Sequence, residues 1–576
     1  MIPGGNKMVS AKNYSSDRIG RTKIERTFKW RTTFNAGYAF PLWADEIYPN
    51  QNKGVDLGQL VRGVTPLGPT MDNAFLDIGF WFCPNRLLWA HWEEFIAGYN
   101  KEAWSQDVVY TKPKILFRAQ AYPTKDSHAV KDTDYIHSFL DYLYGACDVV
   151  EIARTQDKSK SLDPDTPADL AELESREKII NDVAWIDALY PRAYVKIYND
   201  WFRSEVVDDE IELYTGDSDQ YTDEFAFDLL NPLELPKANK YHNRITDALP
   251  SPTKGPDVLI PMNDLQVGTY SGSDTIPGGT PVLFPDDIPA GSFGSLHIDV
   301  EPDDPRTVVA RNVSNTIRML RIATQTELLL ARDARGGTRY QESLLSHFGV
   351  HNGDARLQRS EYLGSMHIPL NIVQVTNTAQ GDGVLGNVGG QMMTKGNFAY
   401  FKKAFTEHGI VMAIACVRYN LSYSTGVRKM YQRANRFDHI WPEFRHVGDV
   451  KLLTREIDYS MLHSFDIAPE EVYGYTPYGS ELREGANLNN GFFRGQLGSS
   501  GFAYLTYQEI FGNGSDAIAS SPTLSADYLK VSDIPMSNTM AMPESPVGQF
   551  YALFDLKSVD VIPLDPTSDP GLMDHF

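Results

Sequence analysis

Two stretches of the chain carry the apolar patterns that are typical of β-strands. Within residues 75–82 the apolar side chains recur at every second position, at Leu76, Ile78, Phe80 and Phe82. Side chains two positions apart lie on the same face of a strand, so this stretch predicts a strand packed on a core. Residues 410–423 are apolar at successive positions as far as Val417. A run of this kind predicts a central strand that is covered on both faces.

Three further stretches have the spacing of apolar residues that is typical of helices. Residues 88–99 place apolar side chains three or four positions apart, and residues 168–189 also predict a helix. Residues 315–334 predict an amphipathic helix that ends at Gly336-Gly337, because glycine favours helix C-termini. We therefore expect several helices between the strands.

Two stretches interrupt these patterns. Residues 200–228 hold eleven acidic groups against Arg203 alone. Residues 250–305 are rich in Pro, Gly, Ser and Asp, with turn dipeptides such as Pro277-Gly278. We expect both to be exposed insertions between core elements, since long loops in compact proteins are usually functional or disordered.

Composition favours an all-β architecture. The 44 Gly and 34 Pro among 576 residues imply many turns and long loops. Three widely spaced cysteines suggest a protein that is made in a reducing cytosol and held together without disulfides. The first residues have no apolar signal core and no 18-residue apolar span occurs, so we expect neither secretion by a signal peptide nor a membrane anchor.

Charge is distributed unevenly along the chain. The net charge is −22, whereas residues 1–31 hold eight Lys and Arg against two acidic residues, a local charge of +6. We expect a strongly acidic body, which does not bind nucleic acid non-specifically, behind a basic, flexible arm at residues 1–33.

This arm is the candidate DNA-binding site. Its cations would neutralise phosphates and release counterions, and Trp30, like Phe28 and Phe34, lies close enough to stack on unpaired bases. Two alternatives remain open: a solubilising tail, and an arm that docks on a neighbouring subunit. The candidate DNA-binding residues are Lys7, Lys12, Arg18, Arg21, Lys23, Arg26, Lys29, Arg31 and Trp30.

A second basic stretch runs from Arg418 to His446. It has six Arg and Lys residues against Asp438 and Glu443. It would either contact DNA or form salt bridges at a subunit interface, and the pattern does not decide between the two.

The possible metal sites are weak. His347 and His351 are four positions apart, but Gly349 between them indicates that a helix has ended there. In a calcium-loop pattern, Tyr221 and Thr222 occupy positions that need an oxygen ligand and Gly. We therefore predict no metal site. The acidic residues that fit that loop are Asp217, Asp219, Asp223 and Asp228.

No catalytic residue and no cofactor is predicted. The chain has no G-x-x-x-x-G-K-[ST], H-E-x-x-H, G-x-S-x-G or C-x-x-C pattern. Carboxylates are abundant, so composition alone leaves a glycosidase pair open. We expect a structural protein and not an enzyme.

Six sequence blocks and the last six residues provide a more specific indication. They are TTFNAGYAFPLWADEIYP (32–49), TPLGPTMDNAFLDIGFWFCPNRLLW (65–89), PRAYVKIYNDWFR (191–203), ALPSPTKGPDV (248–258), ARDARGGTRYQESLLSHFGVHNGDARLQRSEYLG (331–364), RFDHIWPEFRHVGD (436–449) and GLMDHF (571–576). Their order and spacing resemble the major capsid proteins of microviruses, specifically the gokushovirus branch. The resemblance covers nearly the whole chain, although residues 204–247 and 259–312 match nothing in it and residues 474–494 fit loosely.

The resemblance implies a fold and a function. The fold would be an eight-stranded antiparallel jelly roll of the viral capsid type with long helical and loop insertions. Sixty copies would build a T=1 icosahedral shell around a circular single-stranded DNA genome. The implied partners are other copies, the genome, a small basic DNA-binding protein, an internal scaffolding protein, a pilot protein and a host surface receptor. The implied locations are the virion and, during assembly, the host bacterial cytoplasm.

The expected domain map has three parts. Residues 1–33 form the basic arm, residues 34–254 and 313–576 form the jelly-roll core, and residues 255–312 form a surface insertion, the candidate threefold protrusion that would touch the host.

Two rival functions stay open. A carbohydrate-active β-sandwich, either a lectin or a hydrolase, leaves the basic arm unexplained, and a nucleic-acid-binding module does not fit positive charge that is confined mainly to a tail.

Overall fold

The structure is a computed structural model that describes a large part of the chain. Grouping by contacts divides the chain into one unit of Met1–Pro250 with Gly353–Phe576, and a second unit of Ser251–Asn352. Among the helices in the described residues, none is both long and apolar enough to cross a membrane. The described residues are 21–68, 70–97, 110–116, 139–144, 185–221, 235–255, 268–269, 308–309, 317–336, 346–347, 358–376, 388–424, 426–458, 471–494, 505–508, 524–540 and 548–564.

The regular elements are labelled in chain order. The strands are β1 Thr22–Phe34, β2 Phe40–Ile47, β3 Asn52–Gly63, β4 Ala74–Pro84, β5 Lys114–Leu116, β6 Ile186–Asp187, β7 Gln220–Tyr221, β8 Gly268–Thr269, β9 Val308–Val309, β10 Glu361–Leu370, β11 Ile372–Thr376, β12 Val388–Ala404, β13 Gly409–Tyr419, β14 Asp449–Leu453, β15 Val472–Pro477 and β16 Phe550–Ile562. The α-helices are α1 Trp92–Ala97, α2 Phe139–Tyr144, α3 Leu189–Trp201, α4 Ile317–Gly336, α5 Ser480–Arg483, α6 Ala526–Leu529 and α7 Ile534–Thr539. Short 3-10 helices occur at Asn85–Leu87, Lys429–Tyr431, Arg436–Asp438, Pro442–His446, Thr454–Glu456 and Gly491–Phe493.

Two antiparallel sheets form the core of the first unit. Their strand orders are β1-β16-β3-β12-β11 and β10-β4-β13-β2. Consecutive long strands mostly lie in opposite sheets, which is the strand order of a jelly roll. The expected antiparallel jelly roll is confirmed. In the described part of the chain the two sheets hold eight long strands and the short β11, which extends the edge at β12.

The centre of the four-stranded sheet is buried on both faces, whereas alternate residues of its edge strand β10 are exposed. Every residue of β13 is buried except Arg418, which is half-buried. One face packs against the other sheet, where the rings of Phe80 and Phe401 lie 5.4 Å apart. Helix α3 contacts β4 and β13 on the opposite face, and Trp81 packs on Phe202 just beyond that helix. The predictions of a core strand at residues 75–82 and a central strand at residues 410–423 are confirmed.

The five-stranded sheet is buried on one face only. Along β16, buried and more accessible residues alternate, with Phe554 and Leu556 fully buried and Tyr551 44% exposed. Strand β3 alternates in the same way, with Val55, Leu57 and Val61 buried. This sheet therefore has a core face and an outer face that water reaches, as is common in antiparallel sheets.

The expectation of a flexible arm over residues 1–33 is wrong after residue 21. Residues 22–34 form β1, which pairs with β16 from Thr22 opposite Ile562 to Phe34 opposite Phe550. Alternate side chains of β1 reach the core face, and this contact holds a segment that composition alone describes as a polar tail. Residues 1–20 lie outside the described residues.

The acidic stretch is not wholly an exposed insertion. Asp200 is buried at the end of α3, where its Oδ2 accepts hydrogen bonds from the backbone N–H of Ser360, at 2.8 Å, and from the Ser360 hydroxyl, at 2.9 Å. Asp208 is also buried and accepts a hydrogen bond from the backbone of Ser204. By contrast, residues 209, 210 and 212 are exposed, as expected. Residues 222–228 lie outside the described residues.

The helix predictions had mixed outcomes. The amphipathic helix at residues 315–334 is confirmed as α4, and residues 88–99 contain the shorter α1. Most of residues 168–189 lies outside the described residues, and its end is a short strand, β6, followed by a helix that begins at Leu189. Pro191 fits the first turn of that helix, where its missing N–H needs no partner. The predicted insertion at residues 255–312 lies mostly outside the described residues, so the domain boundaries stay predictions.

Candidate nucleic-acid interface

Strand β1 separates the candidate DNA-binding residues onto two faces. The register with β16 places Arg26 and Trp30 on the core face, opposite Ser558 and Phe554. Lys23, Lys29 and Arg31 lie at the alternate positions, on the outer face, and all three are exposed. The candidate DNA-binding residues on this strand therefore lie on two different faces, because side chains on a strand alternate between its two faces.

The core-facing candidates are held by contacts within the subunit. The Arg26 guanidinium pairs with Asp45 and, at 2.9 Å, with Asp560. Trp30 stacks on Phe554 with 5.6 Å between ring centroids. These contacts join β1 to the rest of the chain, although 46% of the Arg26 side chain is exposed, and DNA contact by Arg26 and Trp30 stays a prediction.

A buried charge cluster lies behind Arg26. The fully buried Lys53 ammonium is 2.6 Å from Asp45 Oδ2 and 2.8 Å from Asp560 Oδ1. Burial by itself would raise the pKa of Asp560, but hydrogen bonds from Lys53, Ser558 and Arg26 and the charge of Lys53 lower it below its usual value. This carboxylate therefore stays ionised and ties β16 to β3 and β1.

The outer face of the five-stranded sheet gathers cations from four strands. Arg62 on β3 lies between Tyr551 and Met393, and the exposed Lys395 follows on β12. Within the described residues of this face, seven cations stand against three carboxylates, although the chain has a net charge of −22. We call this surface the basic sheet face. Its cations are Lys23, Lys29, Arg31, Arg62, Lys395, Lys402 and Lys557, and its carboxylates are Glu25, Asp56 and Asp555.

Ion pairs engage only part of this charge. Lys29 lies 3.3 Å from Asp555, and Lys23 and Lys557 both pair with Glu25. Exposed pairs of this kind contribute little to stability. In the part of the chain that the structure describes, Arg31, Arg62 and Lys395 form no ion pair with the protein.

A cleft of about 740 Å³ lies beside two of these cations. Arg31 and Arg62 line it together with the apolar side chains Leu60 and Leu553, the ring of Tyr551 and one acidic residue, Asp141. Guanidinium groups bind phosphate oxygens, and an exposed tyrosine ring offers a surface on which a base stacks. The cleft therefore has the size and the chemistry for a nucleotide of a single strand.

The remaining arm candidates have separate outcomes. Arg21 is exposed and donates a hydrogen bond to the carbonyl of Asn50 at the turn between β2 and β3. Lys7, Lys12 and Arg18 lie outside the described residues, and their contact with DNA stays a prediction.

Sequence reasoning missed Arg62, Lys395, Lys402, Lys557 and Tyr551. The alternation in residues 550–557, FYALFDLK, placed Tyr551 and Lys557 on the polar side of a strand and was a usable signal. The strands that carry Arg62 and Lys395 lie in the same sheet as the arm. This arrangement depends on long-range pairing, which no local pattern reveals.

The second basic stretch is divided between structural and exposed residues. Arg418 is half-buried and bonded to Asp77, with Nε 2.7 Å from Oδ2, and it lies over the ring of Tyr241. Arg433 lies 3.0 Å from Glu481. Arg428, Arg436 and Arg445 are exposed.

The weak metal candidates become structural contacts. His347 Nε2 lies 2.6 Å from Asp333 Oδ1, while His351 lies outside the described residues. Asp217 Oδ1 accepts a hydrogen bond from Trp89 Nε1, at 2.6 Å, and lies 2.8 Å from His91 Nδ1. Among the described residues, no group of three or more His, Cys, Asp or Glu side chains could hold a metal ion.

Comparison with known proteins gives consistent similarities. A family model described as capsid protein (F protein) matches residues 12–130 and 170–572. Capsid protein VP1 of Bdellovibrio phage phiMH2K is 31% identical over 506 residues, which cover 83% of this chain and 84% of the relative. Capsid protein VP1 of Chlamydia phage 1 is 27% identical over 96% of each chain. Capsid protein VP1 of Spiroplasma virus 4 is 27% identical over 97% of this chain and 96% of the relative.

Proposed function

The chain belongs to the capsid protein (F protein) family, and we propose that it is the major capsid protein of a small single-stranded DNA bacteriophage. Sixty copies form a T=1 icosahedral shell around a circular genome, and the chain has a structural role without catalysis. The basic sheet face lies toward the genome. Residues 255–312 contribute to attachment to a host receptor, and assembly takes place in the bacterial cytoplasm with a scaffolding, a pilot and a small basic DNA-binding protein.

The observation that carries the genome contact is the charge of the basic sheet face. A closed shell that holds single-stranded DNA encloses strong phosphate repulsion, and cations on its inner surface offset that repulsion. The basic sheet face concentrates seven cations on a chain that is acidic as a whole. Arg31 and Arg62 in particular are available to phosphates beside the cleft that they line.

The test is the salt dependence of binding between the full-length subunit and single-stranded DNA. If about four cations contact phosphates, the slope of log K against log salt is about −2.8. Replacing Arg31, Arg62 and Lys395 by Gln together should flatten the slope by about 2 units. Binding is measured by fluorescence anisotropy below the concentration at which subunits associate.

A matched variant removes the same charge elsewhere. Arg428, Arg436 and Arg445, changed to Gln, also take three exposed arginine charges from the chain. This variant should keep the slope of the unmodified subunit. Equal flattening by the two variants would mean that overall charge, and not the sheet face, governs binding.

Electron microscopy tests the shell itself. Particles assembled with the phage partner proteins should be 60-subunit isometric shells, and a persistent monomer would contradict the capsid function.

A further inference from the structure

A second basic surface differs from the sheet face because it is rich in exposed apolar side chains. It consists of the loop Arg428–Val447 and the adjoining helix α5, and we call it the aromatic loop. Tyr431 and Phe437 on this loop are 72% and 70% exposed, Met430 is 50% exposed and Val447 is 59% exposed. On α5, Leu482 is 72% exposed. Several exposed apolar side chains on one loop and its adjoining helix indicate an interaction site.

The aromatic loop has a fixed conformation in spite of this exposure. Asp438 accepts hydrogen bonds from the backbone of Ala434 and Asn435, which closes a 3-10 turn. The indole N–H of Trp441 donates to the carbonyl of Arg436 at 2.9 Å, and the backbone N–H of Trp441 donates to the hydroxyl of Tyr478 at 2.9 Å. A surface that is already ordered loses little conformational entropy on binding.

The composition of the loop fits a protein partner better than a nucleic acid. Nine of the twenty residues 428–447 are Arg, Met, Tyr, Phe or Trp, which are the residue types enriched at protein interfaces. Met430, Val447 and Leu482 are aliphatic and have no ring on which a base stacks. Arg436 lies over the Trp441 ring, with 5.0 Å to its centroid, so this guanidinium already covers one aromatic face.

The same chain carries a surface of complementary charge. Residues 428–447 have five Lys and Arg against two acidic residues. Residues 205–219 have seven acidic residues and no Lys or Arg, and Asp209, Glu210 and Glu212 among them are exposed. The exposed apolar side chains Val206, at 47%, and Tyr214, at 37%, flank these carboxylates. Within one copy, no ion pair between described residues joins the two surfaces.

We propose that the aromatic loop of one copy docks on the acidic segment, residues 205–219, of a neighbouring copy. This inference rests on the proposed shell function and names one contact within it. Two different patches that meet in this way form a heterologous contact, which repeats around a closed ring. The apolar side chains supply the buried centre, while the arginines and carboxylates fix the register and exclude wrong pairings.

Charge exchange tests the pairing in the full-length chain. The loop variant carries Arg428→Glu, Arg436→Glu and Arg445→Glu, and the acidic variant carries Asp209→Lys, Glu210→Lys and Glu212→Lys. Each variant should raise the midpoint concentration for assembly by about tenfold or more, because like charges then face each other. In a chain with all six changes, the assembly midpoint should return to within about threefold of that of the unmodified protein. The reason is that each ion pair between the two surfaces forms again with the two charges exchanged. The measurement is sedimentation velocity with the phage partner proteins present.

Folding is monitored by circular dichroism and the thermal midpoint, which all three chains should share with the unmodified protein. Suppose that all three chains fold like the unmodified protein. The proposed pairing is then wrong if the chain with all six changes stays unassembled, or if the variants with changes on one surface assemble normally. Because the loop variant leaves the basic sheet face intact, its DNA salt slope should not change. A changed slope with normal assembly would identify the loop as a DNA surface instead. Failure of the unmodified chain to assemble would contradict the proposed function itself.

The apolar part of the proposal has its own control. Tyr431→Ser and Phe437→Ser together should also raise the assembly midpoint by about tenfold, as the loss of central aromatic contacts does at other interfaces. Tyr48→Ser removes an aromatic ring that is 47% exposed outside both proposed contact surfaces and should leave the midpoint unchanged. Equal effects of the two variants would overturn the assignment of the loop as the contact.

Discussion

The two sheets of the jelly roll have the same antiparallel construction but different surroundings. Helix α3 packs on β4 and β13 at the outer face of the four-stranded sheet, and β13 in its centre is buried on both faces. The outer face of the five-stranded sheet stays accessible and carries charged side chains at alternate positions of β1, β3, β12 and β16. On the covered sheet, charged side chains are held in internal pairs such as Arg418 with Asp77, whereas the accessible sheet has positions that can bind a ligand.

The difference extends to the charged residues that each region tolerates. Buried charges occur where several partners surround them, as for Lys53 between Asp45 and Asp560. Arg192 on α3 is also buried, where it donates to the carbonyls of Leu88 and Gly216, and its burial lowers its pKa to about 10. On the basic sheet face, by contrast, water solvates the charges, and their pairing contributes little to stability.

The largest expected effect comes from one acidic substitution placed on each sheet. Ile414→Asp puts an unpaired carboxylate on the covered side of β13 and should lower the free energy of unfolding by about 4 kcal/mol or leave the subunit unfolded. Met393→Asp on the accessible face, where Met393 is 42% exposed, should change that free energy by about 0.5 kcal/mol or less. Urea denaturation followed by circular dichroism measures both. Similar losses in the two variants would mean that the accessible face is in fact covered.

A smaller effect is expected at the charge cluster that joins the sheets. Lys53→Met leaves Asp45 and Asp560 with Arg26 as their remaining cation and should cost about 3 kcal/mol, as removal of one partner of a buried pair does. Adding Asp560→Leu removes the stranded carboxylate and should recover part of this loss. The measurement is the free energy of unfolding of the two single variants and of the double variant. If the double variant loses the sum of the two single losses, Lys53 and Asp560 do not act together.

The smallest expected effect is a dependence on pH. The folded protein lowers the pKa of Asp560 below its unfolded value of about 3.9, so the ionised carboxylate stabilises the fold above that pH, and the contribution is lost as pH falls below about 4. Asp560→Asn should therefore be less stable than the unmodified chain at pH 7, and the gap should close in acid. Urea midpoints between pH 7 and pH 3 give this difference. A gap that stays constant over the range would show that the charge of Asp560 contributes nothing.

Some features of the fold were predictable because their causes are local. The apolar run of β13 and the alternation of β4 indicated core strands, and the 3.6-residue period with its closing glycines indicated α4. Local pattern failed for β1, whose polar composition predicted a flexible arm. Strand β1 forms because β16, more than 500 residues away, provides its hydrogen-bonding partner.

The candidate site divides in the same way. The sequence by itself determined that basic charge concentrates at the start of an acidic chain, and its similarity to capsid proteins indicated why. Only the tertiary structure decided that Arg26 and Trp30 face the core while Lys29 and Arg31 face outward. It also placed Arg62 and Lys395 on the same outer face as Lys29 and Arg31. A local pattern fixes which residues of one strand share a face. Which strands lie side by side depends on pairing between distant segments, and that pairing gathers the cations onto one surface.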